Sequence, residues 1–325
     1  ALWLALTGAP LLLMSFFHHY DVFLLCLVAL AGFGYGIGNP VASKGLFLWF
    51  DQRSRGTAFG IRQAAVTVGA AVSGILLVSI SQKAGPFVAI RSTGLMIMAM
   101  ILFAFFFYRT PGKGQNIPTS IGDHGARSDK EGFRILFTNG PFFIVSVAMA
   151  LWGLAQGVVV TFLILYLNEK LGVSLLVAGS FYTLLMASGT LGRIIWGVVS
   201  DRLFEGRRKP VLMIISMLAT TGALILAFWP APWPKHLLAP VIIMMGLSSV
   251  GWNAISLVLV TEICGDHQTA ASVGLASSIS WSGIFLGPVG FGTLLDHSGY
   301  FFAWISLAFC CFLSLILCLL IPSSK

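Results

Sequence analysis

Long runs of apolar residues, separated by short polar breaks, dominate the sequence. Each run is close to the length of about 20 residues that crosses a bilayer as a helix, and none alternates strictly as a barrel strand does. The chain is 57% hydrophobic, with a mean hydropathy of +0.93. We therefore predict an all-α polytopic membrane protein with ten transmembrane helices, at roughly 2–17, 22–49, 57–81, 86–107, 141–167, 174–199, 211–229, 237–261, 269–295 and 299–321.

One polar segment interrupts this pattern and predicts the domain organisation. Residues 109–140 are rich in Gly, Ser, Lys and Asp, and they separate four predicted spans from six. Such a composition is typical of a solvated linker. We predict an N-terminal half at 1–108, a linker at 109–140 and a C-terminal half at 141–325.

The distribution of Lys and Arg between alternate loops predicts the orientation. Three of these residues, Lys83, Lys170 and Lys235, fall in one set of loops. The other set carries twelve, namely Arg53, Arg55, Arg109, Lys113, Arg127, Lys130, Arg134, Arg202, Arg207, Arg208, Lys209 and Lys325. Because cytoplasmic loops are enriched in positive charge, we expect the linker and the C-terminus to be cytoplasmic. The net charge of +8 is then topological, and we expect the lipid bilayer rather than nucleic acid as partner.

The sequence lacks the patterns of an enzyme or a metal site. It contains no P-loop, no dinucleotide fingerprint and no nucleophile, base and acid set. The five cysteines do not have metal-ligand spacing. We expect neither catalysis nor a cofactor.

An internal repeat relates the two halves. A shift of 214 residues aligns Gly32 with Gly246, Asn39 with Asn253, Gly60 with Gly274 and Gly69 with Gly283, and the span boundaries follow. The same shift places the counterparts of 141–199 and of a charged loop before Ala1. We therefore expect an N-terminal truncation of two spans and one loop, about 75 residues, so that two bundles of six helices would make the whole.

The charged loop carries a family resemblance. The stretch GRIIWGVVSDRLFEGRRK, from Gly192 to Lys209, resembles the cytoplasmic loop signature of the major facilitator superfamily. The segment GIGNPVASKGLFLWFDQRSRGTAFGIRQAAVTVGAA is similar to the fourth and fifth spans of bacterial members. The resemblance implies two pseudo-symmetric six-helix bundles that work by alternating access.

The same loop predicts a gating contact. Gly197, Asp201 and Arg202 lie where an apolar span meets water, so charge pairs there are partly desolvated and breakable. Glu262, at the end of a neighbouring span, is a plausible partner, as the resemblance also implies. Arg208 belongs to the same candidate set, although the basic cluster 207–209 can also be explained by topology alone.

Polar and aromatic groups inside the spans are the candidate solute contacts. Polar side chains at mid-depth are costly and indicate function. The resemblance implies that the fourth, seventh and tenth spans line a central cavity. The candidates on those spans are Tyr35, Asn39, Trp152, Gln156, Trp252 and Asn253. The alternative for the amide side chains is hydrogen bonding between helices.

Two cations favour an anionic solute. Lys44 and Arg62 each lie about 9 Å inside the cytoplasmic ends of two consecutive helices. Together they suit a carboxylate or phosphate, although both chains can also snorkel to the interface. The sequence shows no acidic residue at mid-depth that would carry a proton.

The combined prediction is a monomeric secondary transporter of a small organic anion in a bacterial-type inner membrane, with a coupling proton or a counter-solute as possible second partner. Efflux of hydrophobic or cationic compounds is the alternative within transport. A transporter-like solute sensor is the alternative from another class.

Overall fold

The computed structural model describes residues 2–17, 21–107, 138–230 and 233–321, without the side chains at 74, 75, 78, 107, 266 and 267. Nearly all of these residues are helical, and the described part of the chain contains no strand. The predicted linker therefore lies largely outside the described residues. The all-α polytopic prediction is confirmed.

Nine helices follow one another along the described ranges. They are α1 (Leu2–Met14), α2 (Asp21–Trp49), α3 (Gln52–Ala84), α4 (Pro86–Phe107), α5 (Gly140–Leu165), α6 (Leu175–Val198), α7 (Arg208–Ala227), α8 (Leu238–Met245) and α9 (Asn253–Leu320). α9 is broken at Gly265 and Gly299, where φ is 71° and 80°. Only glycine adopts such left-handed values without strain, so these two residues divide α9 into three segments.

Seven stretches among the described residues are long and apolar enough to cross a membrane. The difference from ten predicted spans has identifiable sources. α1 has only 13 residues, and the last two predicted spans fall in one stretch, Gln268–Leu320. α3, a 33-residue helix whose side chains at 74, 75 and 78 lie outside the description, is not in this count.

Large apolar side chains on the outside support the membrane assignment. Leu176 is 84% exposed, Phe105 80% and Phe285 74%. A water-soluble protein rarely leaves so many such side chains exposed, whereas lipid is their natural solvent.

Close packing divides the described chain into two units. Among the described residues, the first unit contains 2–17, 21–49 and 68–107, and the second contains 50–67, 138–230 and 233–321. In the first unit α1 packs against α2 and α4. Arg91 of α4 donates from Nε to Ser15 Oγ at 3.1 Å and lies over the Phe16 ring at 4.3 Å, so it anchors the end of α1.

The second unit is built on α5 and includes the first half of α3, residues 52–67. Asn139 caps α5 through its side chain, which accepts from Phe142 N at 3.1 Å. Gly153 and Gly157 of α5 let the backbone of the middle segment of α9 approach closely at Ser280 and Ile284. The indoles of Trp152, Trp252 and Trp304 are fully buried in this unit. These contacts hold rigid the elements that carry the candidate site.

Candidate functional site

The turn between α6 and α7 places one carboxylate inside the second unit. The last residues of α6 continue into a π turn, Val199–Leu203, in which Asp201 is 8% exposed. Gly206, with φ of 84°, then reverses the chain, and its amide donates to Ser200 O at 2.8 Å. The turn therefore directs Asp201 towards a neighbouring helix rather than towards solvent.

That neighbour is the beginning of α3. The Asp201 carboxylate accepts hydrogen bonds from Gly56 N at 3.2 Å, from Thr57 N at 2.6 Å and from Thr57 Oγ1 at 2.7 Å. Hydrogen bonds to an ionised acceptor are stronger than those between neutral groups, so these three donors hold the carboxylate firmly. Asp201 thus attaches the first turns of α3 to the end of α6.

Arg208 pairs with this carboxylate and with a second one, Glu262. Its side chain is only 1% exposed, and Nη1 donates to Asp201 Oδ1 at 2.5 Å and to Ser200 Oγ at 2.8 Å. Nη2 pairs with Glu262 Oε1 at 3.1 Å and also donates to Gln52 O. A buried guanidinium needs this complete set of acceptors because desolvation of an unpaired charge is costly. We call Gly56, Thr57, Asp201, Arg208 and Glu262 the loop cluster.

The loop cluster unites three of the predicted gating residues and leaves one outside. Asp201, Arg208 and Glu262 are in direct contact, whereas Arg202 is exposed. Consecutive residues of a helical turn point in different directions, so only one of the Asp-Arg pair faces α3. Arg208 is also more than a topological charge, because a residue that only fixed orientation would remain in water.

Gly197, the remaining predicted gating residue, makes this contact possible. A Cβ at Gly197 would overlap the Gly56 carbonyl and lie 3.0 Å from Thr57 Cα. The two backbones approach so closely that side chains cannot be accommodated between them. The glycine of the loop signature therefore has a packing role at the crossing of α3 and α6.

Gly197→Ala is expected to release the start of α3 and to increase hydrogen exchange of residues 52–67 about tenfold. The added Cβ has no space at the crossing, and overpacking costs about 1–3 kcal/mol. Gly179→Ala on the same helix is the matched control, since a Cβ there meets nothing within 4 Å. Mass-spectrometric exchange of both variants measures the effect, and equal exchange in the two would contradict the packing role.

A second set of polar and aromatic side chains, separate from the loop cluster, lies in the same unit. Asn253 Nδ2 donates to Gln156 Oε1 at 3.1 Å. Beside this amide pair the Trp152 and Trp252 rings lie 5.7 Å apart, and Trp152 Nε1 donates to Ser216 Oγ at 2.9 Å. All four predicted residues on α5 and at the start of α9 are thus brought together. The two indoles are 1% and 0% exposed and contact protein groups in this conformation.

The helix before Asn253 is irregular. α8 ends in a π turn, Gly246–Val250, and Gly251 N donates to Gly246 O at 3.1 Å. Gly and Ser in GLSSVG weaken the regular helix, and π turns are frequent at functional sites. Trp252 Nε1 and Ser249 Oγ are buried without a hydrogen-bond partner. The chain therefore departs from a regular α-helix where the candidate solute contacts begin.

Arg193 is a residue that the sequence analysis did not select. It lies inside α6, is 6% exposed, and donates from Nε to Val250 O at 3.3 Å and from Nη1 to Gln63 O at 2.7 Å. Its position within an apolar span was the available signal, because a charged side chain there indicates function. Arg193 contacts both α3 and the π turn.

The remaining predicted residues belong to two different units. Tyr35 and Lys44 of α2 are exposed, and Asn39 is half-buried, all in the first unit. Arg62 is half-buried on α3, in the part of the helix that packs with the second unit. Across the described ranges, no group of His, Cys, Asp and Glu is arranged to hold a metal ion.

The chain is similar to one family of known proteins over most of its length. The model of the Major Facilitator Superfamily matches residues 1–288. An uncharacterised MFS-type transporter of Mycobacterium tuberculosis is 25% identical over 277 residues, which cover 85% of this chain and 59% of the relative. The chain thus spans less than two thirds of that protein's length.

Two further relatives have more specific names. The membrane sensor protein UhpC of Salmonella typhimurium is 24% identical over 321 residues, covering 93% of this chain and 71% of the relative. A probable sulfoacetate transporter, SauU of Cupriavidus necator, is 25% identical over 294 residues, covering 85% and 66%.

Among solved structures, the fucose:proton symporter FucP of Escherichia coli has a similar fold. The TM-score is 0.78 at 16% sequence identity, and the match covers 99% of this chain and 82% of FucP.

Proposed function

The chain belongs to the major facilitator superfamily, and from this premise we propose that it forms part of a secondary active transporter that moves a small organic anion by alternating access. The loop cluster is the observation that supports alternating access. Residues 52–67 of α3 pack with the second unit, and residues 68–84 pack with the first. One helix thus contributes to both units, and its attachment to the second depends on buried charges.

A buried ion cluster suits a contact that must form and break. Its charge-assisted hydrogen bonds are strong while water is excluded, and hydration offsets their loss when the contact opens. The excess of Lys and Arg on one side favours a cytoplasmic position for the cluster. We propose that it holds the cytoplasmic ends of α3 and α6 together in one conformer and separates in the other.

The choice of an anion rests on Arg62. It is a half-buried cation inside a predicted span, on the same helix as the gating contact. A guanidinium can bind a carboxylate or a sulfonate through two parallel hydrogen bonds. The probable sulfoacetate transporter among the relatives supports an anionic solute, and Gln156 and Asn253 offer amide groups for its polar atoms.

Uptake into proteoliposomes tests the solute class. The protein, reconstituted into vesicles, is expected to take up radiolabelled sulfoacetate at least about tenfold faster than protein-free vesicles. Uptake of fucose, as a neutral probe, should remain near background. Accumulation of the lipophilic cation tetraphenylphosphonium without that of the anion would instead support efflux of cationic or hydrophobic compounds.

A solute sensor is the second candidate, because one relative is named as a membrane sensor protein. A sensor binds its solute but need not release it on the other side. Thermal stabilisation by sulfoacetate, without any uptake into vesicles, would favour the sensor. Saturable uptake would favour the transporter.

A further inference from the structure

The planar guanidinium of Arg193 links α6, which carries it, to α3 and to the π turn. Nη1 donates to Gln63 O on α3, and Nε donates to Val250 O at the end of the π turn. The guanidinium is planar, so its donors keep fixed directions relative to one another. A displacement of one acceptor therefore requires the other contact to adjust.

The π turn depends on side chains of α6 for its hydrogen bonds. In a π turn each amide bonds to the carbonyl five residues earlier, which removes regular partners from nearby carbonyls. Leu247 O accepts from Trp196 Nε1 at 2.7 Å, and Val250 O accepts from Arg193. Arg193 and Trp196 lie three residues apart, on the same face of α6. Two side chains of α6 thus stabilise the irregular backbone that precedes Asn253.

We propose that Arg193 is a positioning residue that couples the attachment of α3 to the geometry of the π turn, and thereby to the orientation of Asn253. When α3 is attached, Gln63 O fixes the guanidinium and Nε holds Val250 O. When α3 separates, the buried cation loses that acceptor and must move, which loosens the π turn. The coupling itself is a property of the fold. Its use during alternating access rests on the proposed transport function.

A coupling free energy acts equally in both directions, which provides a stringent test. Hydrogen exchange is followed in peptides covering 52–67 and 245–253 of the protein in nanodiscs. Asp201→Asn, which weakens the attachment of α3, should increase exchange at 245–253 about tenfold. Asn253→Ala, which removes the hydrogen bond to Gln156 just after the π turn, should increase exchange at 52–67 by a similar factor. Absence of either distant effect in the protein with Arg193 intact would overturn the proposal.

Arg193→Lys then identifies the residue responsible. Lysine keeps the charge but lacks the planar fork, so both distant effects should fall below about twofold. Trp196→Phe is the matched control, because it removes a π-turn hydrogen bond from the same face of α6 and leaves Arg193 in place. It should loosen 245–253 locally and preserve the coupling.

Coupling that survives unchanged in Arg193→Lys would overturn the assignment to Arg193. If Trp196→Phe abolishes the two distant exchange effects as fully as Arg193→Lys does, the coupling depends on the general packing of α6. That outcome would also overturn the proposal. Because hydrogen exchange does not require transport, a failure of sulfoacetate uptake would refute the proposed function alone.

Discussion

Asp201→Asn is expected to reduce the maximal transport rate about 100-fold while changing solute affinity less than about threefold. The neutral amide loses the charge-assisted contacts to Arg208 and Thr57, and the buried Arg208 then loses one of its two carboxylate partners and keeps Glu262. Removal of one partner of a buried ion pair destabilises by about 3–5 kcal/mol. About 3 kcal/mol corresponds to a 100-fold change in the population of one conformer.

Initial rates of uptake over a range of solute concentrations, together with equilibrium binding, separate the two parameters. Arg202→Gln is the control, because this neighbouring charge is exposed and its loss should change the rate less than about twofold. The contacts of Asp201 lie at the start of α3, apart from the Gln156 and Asn253 pair, so binding should be little affected. A large loss of affinity at an unchanged maximal rate would contradict the gating role.

Arg62→Gln is expected to reduce anion uptake about 100-fold with normal insertion and folding. Loss of a partly desolvated cation that binds a carboxylate costs about 2–5 kcal/mol, and the inside-positive loops that fix topology are unchanged. Arg62→Lys should retain part of the uptake if positive charge suffices, and little if two parallel hydrogen bonds are needed.

Arg53→Gln on the same helix is the matched control for charge. Arg53 is exposed at the start of α3, whereas Arg62 is half-buried, so neutralisation of Arg53 should leave uptake near the parent rate. Anion uptake by the Arg62→Gln protein close to that of the parent would refute the anion site. It would then favour a neutral or hydrophobic solute.

The sequence by itself determined the helical, membrane-spanning character of the chain and the importance of one loop. Runs of apolar residues report directly on transfer into lipid, which depends on each residue and its near neighbours. The sequence also singled out Trp152, Gln156, Trp252 and Asn253, because polar and aromatic positions inside apolar spans are visible in it. That these four residues lie together is a finding of the structure.

The internal repeat was a weaker guide to local environment. Gly32 and Gly246 occupy equivalent positions in the repeat, but they have different surroundings in the structure. A Cβ at Gly246 would overlap Leu185 O, whereas a Cβ at Gly32 meets nothing within 4 Å. Sequence equivalence identifies corresponding positions in two helices, but which neighbour packs there is decided by the rest of the bundle.

Only the tertiary structure decided which charges of the loop act together. Arg202 and Arg208 are equally basic in the sequence, yet Arg202 is exposed and Arg208 is buried between Asp201 and Glu262. The π turns that direct Asp201 and expose Val250 O to Arg193 likewise have no local signature strong enough to predict them. Hydropathy is a property of short segments, whereas partner choice depends on the register and close approach of helices that are distant in the chain, which long-range packing alone fixes.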